Sequence, residues 1–125
     1  MRPLRMMVVD DSGLTVKKMA RLLEELGHEV AGMATTGREA VDAYGAVAPD
    51  MVTMDITMPD MDGIEATRRI MAQSPDACIV IVTSHGQEQM VMDAIEAGAK
   101  GYILKPVKKE KLAETLETIA AKYLP

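Results

Sequence analysis

The chain contains no phenylalanine and no tryptophan, and its few aromatic residues are Tyr44, Tyr102 and Tyr123. That removes the stacking platforms on which single-stranded nucleic acid or a flavin ring would rest. The single cysteine, Cys78, stands inside an apolar run, so neither a disulfide framework nor a cysteine metal site can be built. A small buried hydrophobe is the reading that follows for it. No block of Lys and Arg interrupts the net charge of −5. Direct nucleic-acid binding is therefore disfavoured, because neutralising phosphates needs a basic surface. No apolar run approaches the roughly 20 residues that span a bilayer. The N-terminal Met-Arg-Pro-Leu-Arg has no small-residue cleavage site. Neither a membrane partner nor a secretory leader is expected, and a cytoplasmic location follows.

What is present suits one compact domain over residues 1–125. Hydrophobic residues at 48% and charged residues at 26% are enough for a core without staples. The 12 methionines take the place of the missing large aromatics. Most read as core filler, and a minority would give a partner-binding face its adaptability.

Five short apolar runs alternate with five amphipathic ones. The runs are Met6–Val9, Glu29–Ala34, Met51–Met54, Cys78–Val82 and Gly101–Leu104. The first, fourth and fifth are nearly continuous in apolar residues, as expected for strands buried on both faces. Between them, Val16, Met19, Ala20, Leu23 and Leu26 recur at helical spacing, with Ser12 as N-cap and Gly27 as stop. Thr36 with Glu39, and Asp62 with Glu65, have capping-box spacing; Pro49 and Pro75 close those two helices. A fourth helix runs through Val91, Ala94 and Ile95 to Gly98, and a fifth through Leu112, Leu116, Ile119, Ala120 and Tyr123. Alternation of this kind predicts an α/β fold, a doubly wound parallel sheet of five strands covered on both faces by five helices. In such sheets ligands bind beyond the carboxyl ends of the strands.

Four of those ends carry reactive groups: Asp10-Asp11, Asp55, Thr83 and Lys105-Pro106. Any one alone reads as an N-cap, a strand residue or a surface charge. Together, three carboxylates, a hydroxyl and an ammonium at one sheet edge describe a site. Two carboxylates about 4 Å apart repel by roughly 4 kcal/mol at an effective dielectric near 20. A cation relieves this, and Mg²⁺ suits an all-oxygen site that also meets phosphate, with Mn²⁺ an admissible substitute. Asp55 is then the nucleophile for a phosphoryl group, giving an aspartyl phosphate, while Lys105 offsets charge and Thr83 donates a hydrogen bond.

Val8-Val9-Asp10-Asp11-Ser12, Asp55-Ile56-Thr57-Met58-Pro59-Asp60-Met61-Asp62-Gly63, Val82-Thr83-Ser84 and Leu104-Lys105-Pro106 resemble the receiver domains of response regulators. The resemblance covers essentially the whole chain. It extends to the CheY-type chemotaxis group through Val52–Pro59 and Ala97-Gly98-Ala99-Lys100. It implies the flavodoxin-like strand order 2-1-3-4-5 and phosphorylation of Asp55 by a histidine kinase, of the CheA type, or by a small acyl phosphate. It also implies Mg²⁺ ligation by Asp10, Asp11, Asp55 and the backbone carbonyl of Thr57, and a cis Lys105-Pro106 bond. Thr83 and Tyr102 become a switch pair, although from the residues alone Tyr102 serves packing equally well. Thr57 and His85 occupy positions that set the lifetime of the phosphate; His85 reads equally as an exposed loop residue. Val107 stands where many relatives carry phenylalanine.

The implied output face is the fourth helix, fifth strand and fifth helix, acting on a flagellar motor switch protein or another downstream protein. The sequence ends after the fifth helix, so the signal is expected to leave by protein contact, from a monomer. The chain would be no enzyme beyond its own phosphorylation and dephosphorylation. Three other readings differ in kind. A relay receiver outside chemotaxis would share every site residue. An aspartyl-nucleophile phosphatase would want a second acid two residues after Asp55, where Thr57 stands. A flavodoxin-like cofactor carrier would have to seat phosphate on the acidic Asp10-Asp11-Ser12-Gly13 loop.

Overall fold

The computed structural model describes residues 2–124; Met1 and Pro125, the ends of the expected unit, lie outside them. Strands β1 (Arg5–Val9), β2 (Glu29–Ala34), β3 (Met51–Met54), β4 (Ile79–Thr83) and β5 (Gly101–Leu104) alternate with five helices. The helices are α1 (Gly13–Glu25), α2 (Gly37–Val47), α3 (Gly63–Gln73), α4 (Glu88–Ala97) and α5 (Lys109–Tyr123). All strand pairs are parallel, in the order β2-β1-β3-β4-β5. Among the described residues no helix is long and apolar enough to cross a membrane.

Strand alternation divides the core in two. Met7, Val9, Val52, Met54, Ile79 and Ile81 pack with Ala40, Tyr44, Ile70 and Ala94 of α2, α3 and α4. Met6, Val8, Met51, Val80 and Val82 pack with Val16, Leu23, Leu112 and Leu116 of α1 and α5. Buried on both faces, a strand must be apolar at successive positions, which explains the runs in the sequence. The fifth run departs from that expectation. β5 is an edge strand with only β4 as neighbour, and Leu104 is 53% exposed. β3, in the middle of the sheet, is buried throughout, as is β4. The opposite edge, β2, carries a register shift against β1 between Met6 and Met7. Such an irregularity makes an edge a poor template for further pairing.

The helix ends follow local chemistry. The side chains of Ser12, Thr36 and Asp62 accept from the backbone N–H groups of Thr15, Glu39 and Glu65. Only half of each expected capping box forms. The Glu39 carboxylate accepts from Thr35 N–H, one residue before the cap, and Glu65 turns to Arg68 and Arg69. At the end of α1, Gly27 adopts φ +92°, its N–H bonds the Glu24 carbonyl and His28 N–H bonds that of Leu23. This Schellman arrangement turns the chain into β2. His28 is thereby buried, and its Nδ1 accepts from Leu4 N–H at 3.0 Å, tying the end of α1 to the start of β1.

Two stability tests follow. Ala48 ends α2 with φ +48°, a left-handed conformation that costs an L side chain roughly 1–2 kcal/mol. Ala48→Gly should stabilise the fold by about 0.5–1 kcal/mol in urea unfolding, after the greater freedom of glycine in the unfolded chain is counted. His28 is held below its ordinary value of 6.5 by burial, and its Nδ1 is an acceptor only when unprotonated. The stability it contributes is complete above about pH 6.5 and is lost as pH falls from there toward its depressed folded value. Denaturation measured between pH 7.5 and 5 should show this loss in the parent protein, with a smaller slope in His28→Ala.

Candidate functional site

The strand order places β1 and β3 side by side with helices leaving from opposite faces, which opens a crevice at their carboxyl ends. The ladder hydrogen bonds continue one residue beyond three of the strands. Asp10 N–H bonds Ala34 O, Asp55 N–H bonds Val9 O and Lys105 N–H bonds Thr83 O. The backbones of these three residues are thus set by the sheet and not by flexible loops. Lys105 precedes Pro106 through a cis bond, as the resemblance implies.

One oxygen from each of Asp10, Asp11 and Asp55 can be chosen so that all lie within 4.8 Å of one another. Asp10 and Asp55 are buried, whereas Asp11 is exposed. The Lys105 ammonium stands 2.7 Å from Asp10 and 3.5 Å from Asp55, so its tighter partner is Asp10. Asp10 also accepts from Ser12 N–H at 3.0 Å. Burial first, and then the charge of Asp10, raise the Asp55 carboxyl above its ordinary value; Lys105 and the Ile56 N–H pull the other way and lose. For Lys105, burial acts to lower the ammonium, but its hydrogen bond to Asp10 and the charges of both aspartates outweigh it, and the net is upward. The cluster is therefore short of positive charge. A hard divalent cation fits that need: an octahedral Mg²⁺ holds oxygens at about 2.1 Å, roughly 4 Å across the shell.

Thr83 is fully buried, and its Oγ accepts from His85 N–H at 3.3 Å. The Tyr102 ring packs against the core, and its hydroxyl donates to the His85 carbonyl. The peptide of His85 therefore touches both members of the expected switch pair, while its side chain is only half-buried. Thr57 is exposed in the segment between β3 and α3. Ile56, Met58 and Met61 are buried and anchor that segment from below.

Sequence reasoning passed over Gly63. Its N–H bonds the Ile56 carbonyl at 2.8 Å, and a Cβ placed on it would lie 1.8 Å from the Asp55 carbonyl oxygen. The start of α3 therefore presses directly on the backbone that carries Asp55. The glycine was visible in the sequence, but only the contact across the turn explains it. Cys78 is buried, which pushes its thiol up and leaves it unreactive.

The parallel five-stranded fold and its acidic crevice have a counterpart among known proteins: residues 6–117 match the family described as response regulator receiver domain. The chain belongs to that family. It is 44% identical to the chemotaxis protein CheY of Thermotoga maritima over 93% of this chain and 97% of that one. To the chemotaxis protein CheY of Listeria monocytogenes it is 42% identical, over 94% and 98%. Among solved structures, the CheX-CheY-BeF3-Mg+2 complex of Borrelia burgdorferi contains a chain that matches with a TM-score of 0.90 at 35% identity. That match covers 94% of this chain and 89% of the other.

Gly63→Ala should destabilise the protein by roughly 1–3 kcal/mol, because the clash is with backbone and cannot be relieved by a rotamer. Gly13→Ala, where no atom lies within 4 Å of the added carbon, is the control. Equal urea midpoints for the two variants would contradict the close approach.

Proposed function

We propose that the chain is a response regulator of chemotaxis that accepts a phosphoryl group on Asp55 from a histidine kinase of the CheA type. The observation that supports this reading is the crowding of Asp10, Asp11 and Asp55, with one ammonium shared between Asp10 and Asp55. Asp10, Asp11, Asp55 and the carbonyl of Thr57 would hold Mg²⁺. When bound, the ion neutralises charge on the phosphoryl oxygens. An Asp55 carboxylate oxygen forms the bond to phosphorus while the bond from phosphorus to the kinase's histidine nitrogen breaks, the electron pair leaving with the imidazole. Lys105 shares its ammonium with the incoming group, and the Thr83 hydroxyl turns from His85 to donate to a phosphoryl oxygen.

The added charge then biases the loop between β4 and α4. Because His85 holds Thr83 through its N–H and Tyr102 through its carbonyl, movement of one is felt by the other. Thr57 and His85 border the phosphate and set its lifetime. The altered surface of α4, β5 and α5, with Met92, Ile95 and Leu104 exposed, meets a flagellar motor switch protein or another protein target. The Borrelia complex, in which a CheY is bound to CheX, supports protein partners for such a chain. Residues 1–125 act as one domain, monomeric and cytoplasmic, with no turnover beyond their own phosphorylation and dephosphorylation.

Incubation with radiolabelled phosphoramidate or with a phosphorylated histidine kinase should label the protein only when Mg²⁺ is present. Chelation should abolish the label, and Asp55→Asn should remove it while keeping the fold by circular dichroism. Stoichiometric label on the asparagine variant would assign the acceptor elsewhere.

A further inference from the structure

A cleft of about 480 Å³ lies beside the acidic site, between α1 and the segment that follows β5. Its volume falls in the roughly 300–1,000 Å³ range of small-molecule sites. Leu22 of α1, Pro106 and Val107 give it partly exposed apolar walls, over a floor of the buried Val8, Met19 and Val82. Asp10 and Lys105 belong to the same lining, so the cleft and the carboxylate cluster share a wall. Lys18 and Arg21 of α1 also line it; both are exposed, and neither forms an ion pair among the described residues.

These features select a ligand chemistry. Apolar walls favour an aliphatic chain. Two uncommitted cations, in a chain of net charge −5, favour an anion. The wall shared with Lys105 sets the anionic end of such a ligand next to Asp55. We propose that the cleft is a subsite for the acyl chain of a medium-chain acyl phosphate that phosphorylates Asp55 directly. This rests on the reading of Asp55 as acceptor and adds the class of small donor that the chain selects. In the step, an Asp55 carboxylate oxygen forms the new bond to phosphorus, and the bond from phosphorus to the acyl oxygen breaks. The electron pair leaves with the carboxylate, no proton is transferred, and the total charge is unchanged. Valine at 107 and leucine at 22 leave room for the chain, and larger side chains there would fill it.

The test compares acetyl, butyryl and hexanoyl phosphate, at donor concentrations well below saturation, with phosphoramidate, which has no chain. Rates of Asp55 labelling should rise about two- to fourfold for each methylene that enters the cleft. Val107→Phe should flatten that series while leaving the phosphoramidate rate unchanged, and Leu22→Phe provides a second filling variant; thermal melting checks both folds. The double variant Lys18→Gln, Arg21→Gln should lower all the acyl phosphate rates and reduce their dependence on salt. A flat series in the parent, with phosphoramidate still active, would overturn the subsite and leave the acceptor intact. A steep series that survives both filling variants would also overturn it, because the chain would then bind elsewhere. Failure of phosphoramidate as well would overturn the acceptor reading and the subsite with it.

Discussion

The structure is organised around a shortage of positive charge. Two buried carboxylates, Asp10 and Asp55, share one ammonium that sits closer to the first than to the second. Repulsion between them is worth roughly 4 kcal/mol at about 4 Å and moderate dielectric, and a single lysine only partly answers it. Burial first, and then the charge of Asp10, displaces the Asp55 carboxyl upward against the pull of Lys105. An unrelieved cluster of this kind is costly to fold around, and a hard divalent cation would relieve it.

Keeping like charges together requires rigid supports. The sheet supplies them by extending its ladders one residue past β1, β3 and β5, so that Asp10, Asp55 and Lys105 begin where regular hydrogen bonding ends. Gly63 completes the support from the other direction. Its missing side chain lets α3 start against the Asp55 carbonyl, and buried Met58 and Met61 hold the intervening segment down. The acidic crevice is thus rigid at its base, while Asp11 and Thr57 at its rim stay exposed to solvent.

A second connection runs away from the site along the His85 peptide. Thr83 lies in a fully buried strand position, yet its hydroxyl is bonded to a loop N–H rather than to the sheet. Tyr102, one strand over, reaches the carbonyl of the same residue. Both bonds meet on one residue of the loop between β4 and α4, beside the face on which Ile95 and Leu104 are exposed. On the far side of the sheet, the cleft beside α1 meets the same cluster through Lys105, so the site borders two surfaces of different character.

Much of this was legible in the residues. The apolar runs, the caps at Ser12, Thr36 and Asp62, and the stops at Gly27 and Gly98 mark ten elements, because periodicity and capping depend on neighbours in sequence. The reactive groups were equally visible, since each follows an apolar run. Their chemistry as a set followed from their shared sheet edge, and its biological meaning from the resemblance, carried by motifs in a fixed order. The residues could not show that β5, for all its apolar sequence, forms an edge, or that Glu65 abandons its cap for two arginines. Nor could they show that His28 accepts from Leu4, that Gly63 presses on Asp55, or that Lys105 prefers Asp10. Those facts depend on which strands become neighbours and on ångström-scale approach between distant segments. The alternation of elements and the chemistry at their ends were therefore determined by the sequence alone. The balance of charge within the site was decided by tertiary packing, because Coulomb energy and burial depend on distances that a linear order of residues does not contain.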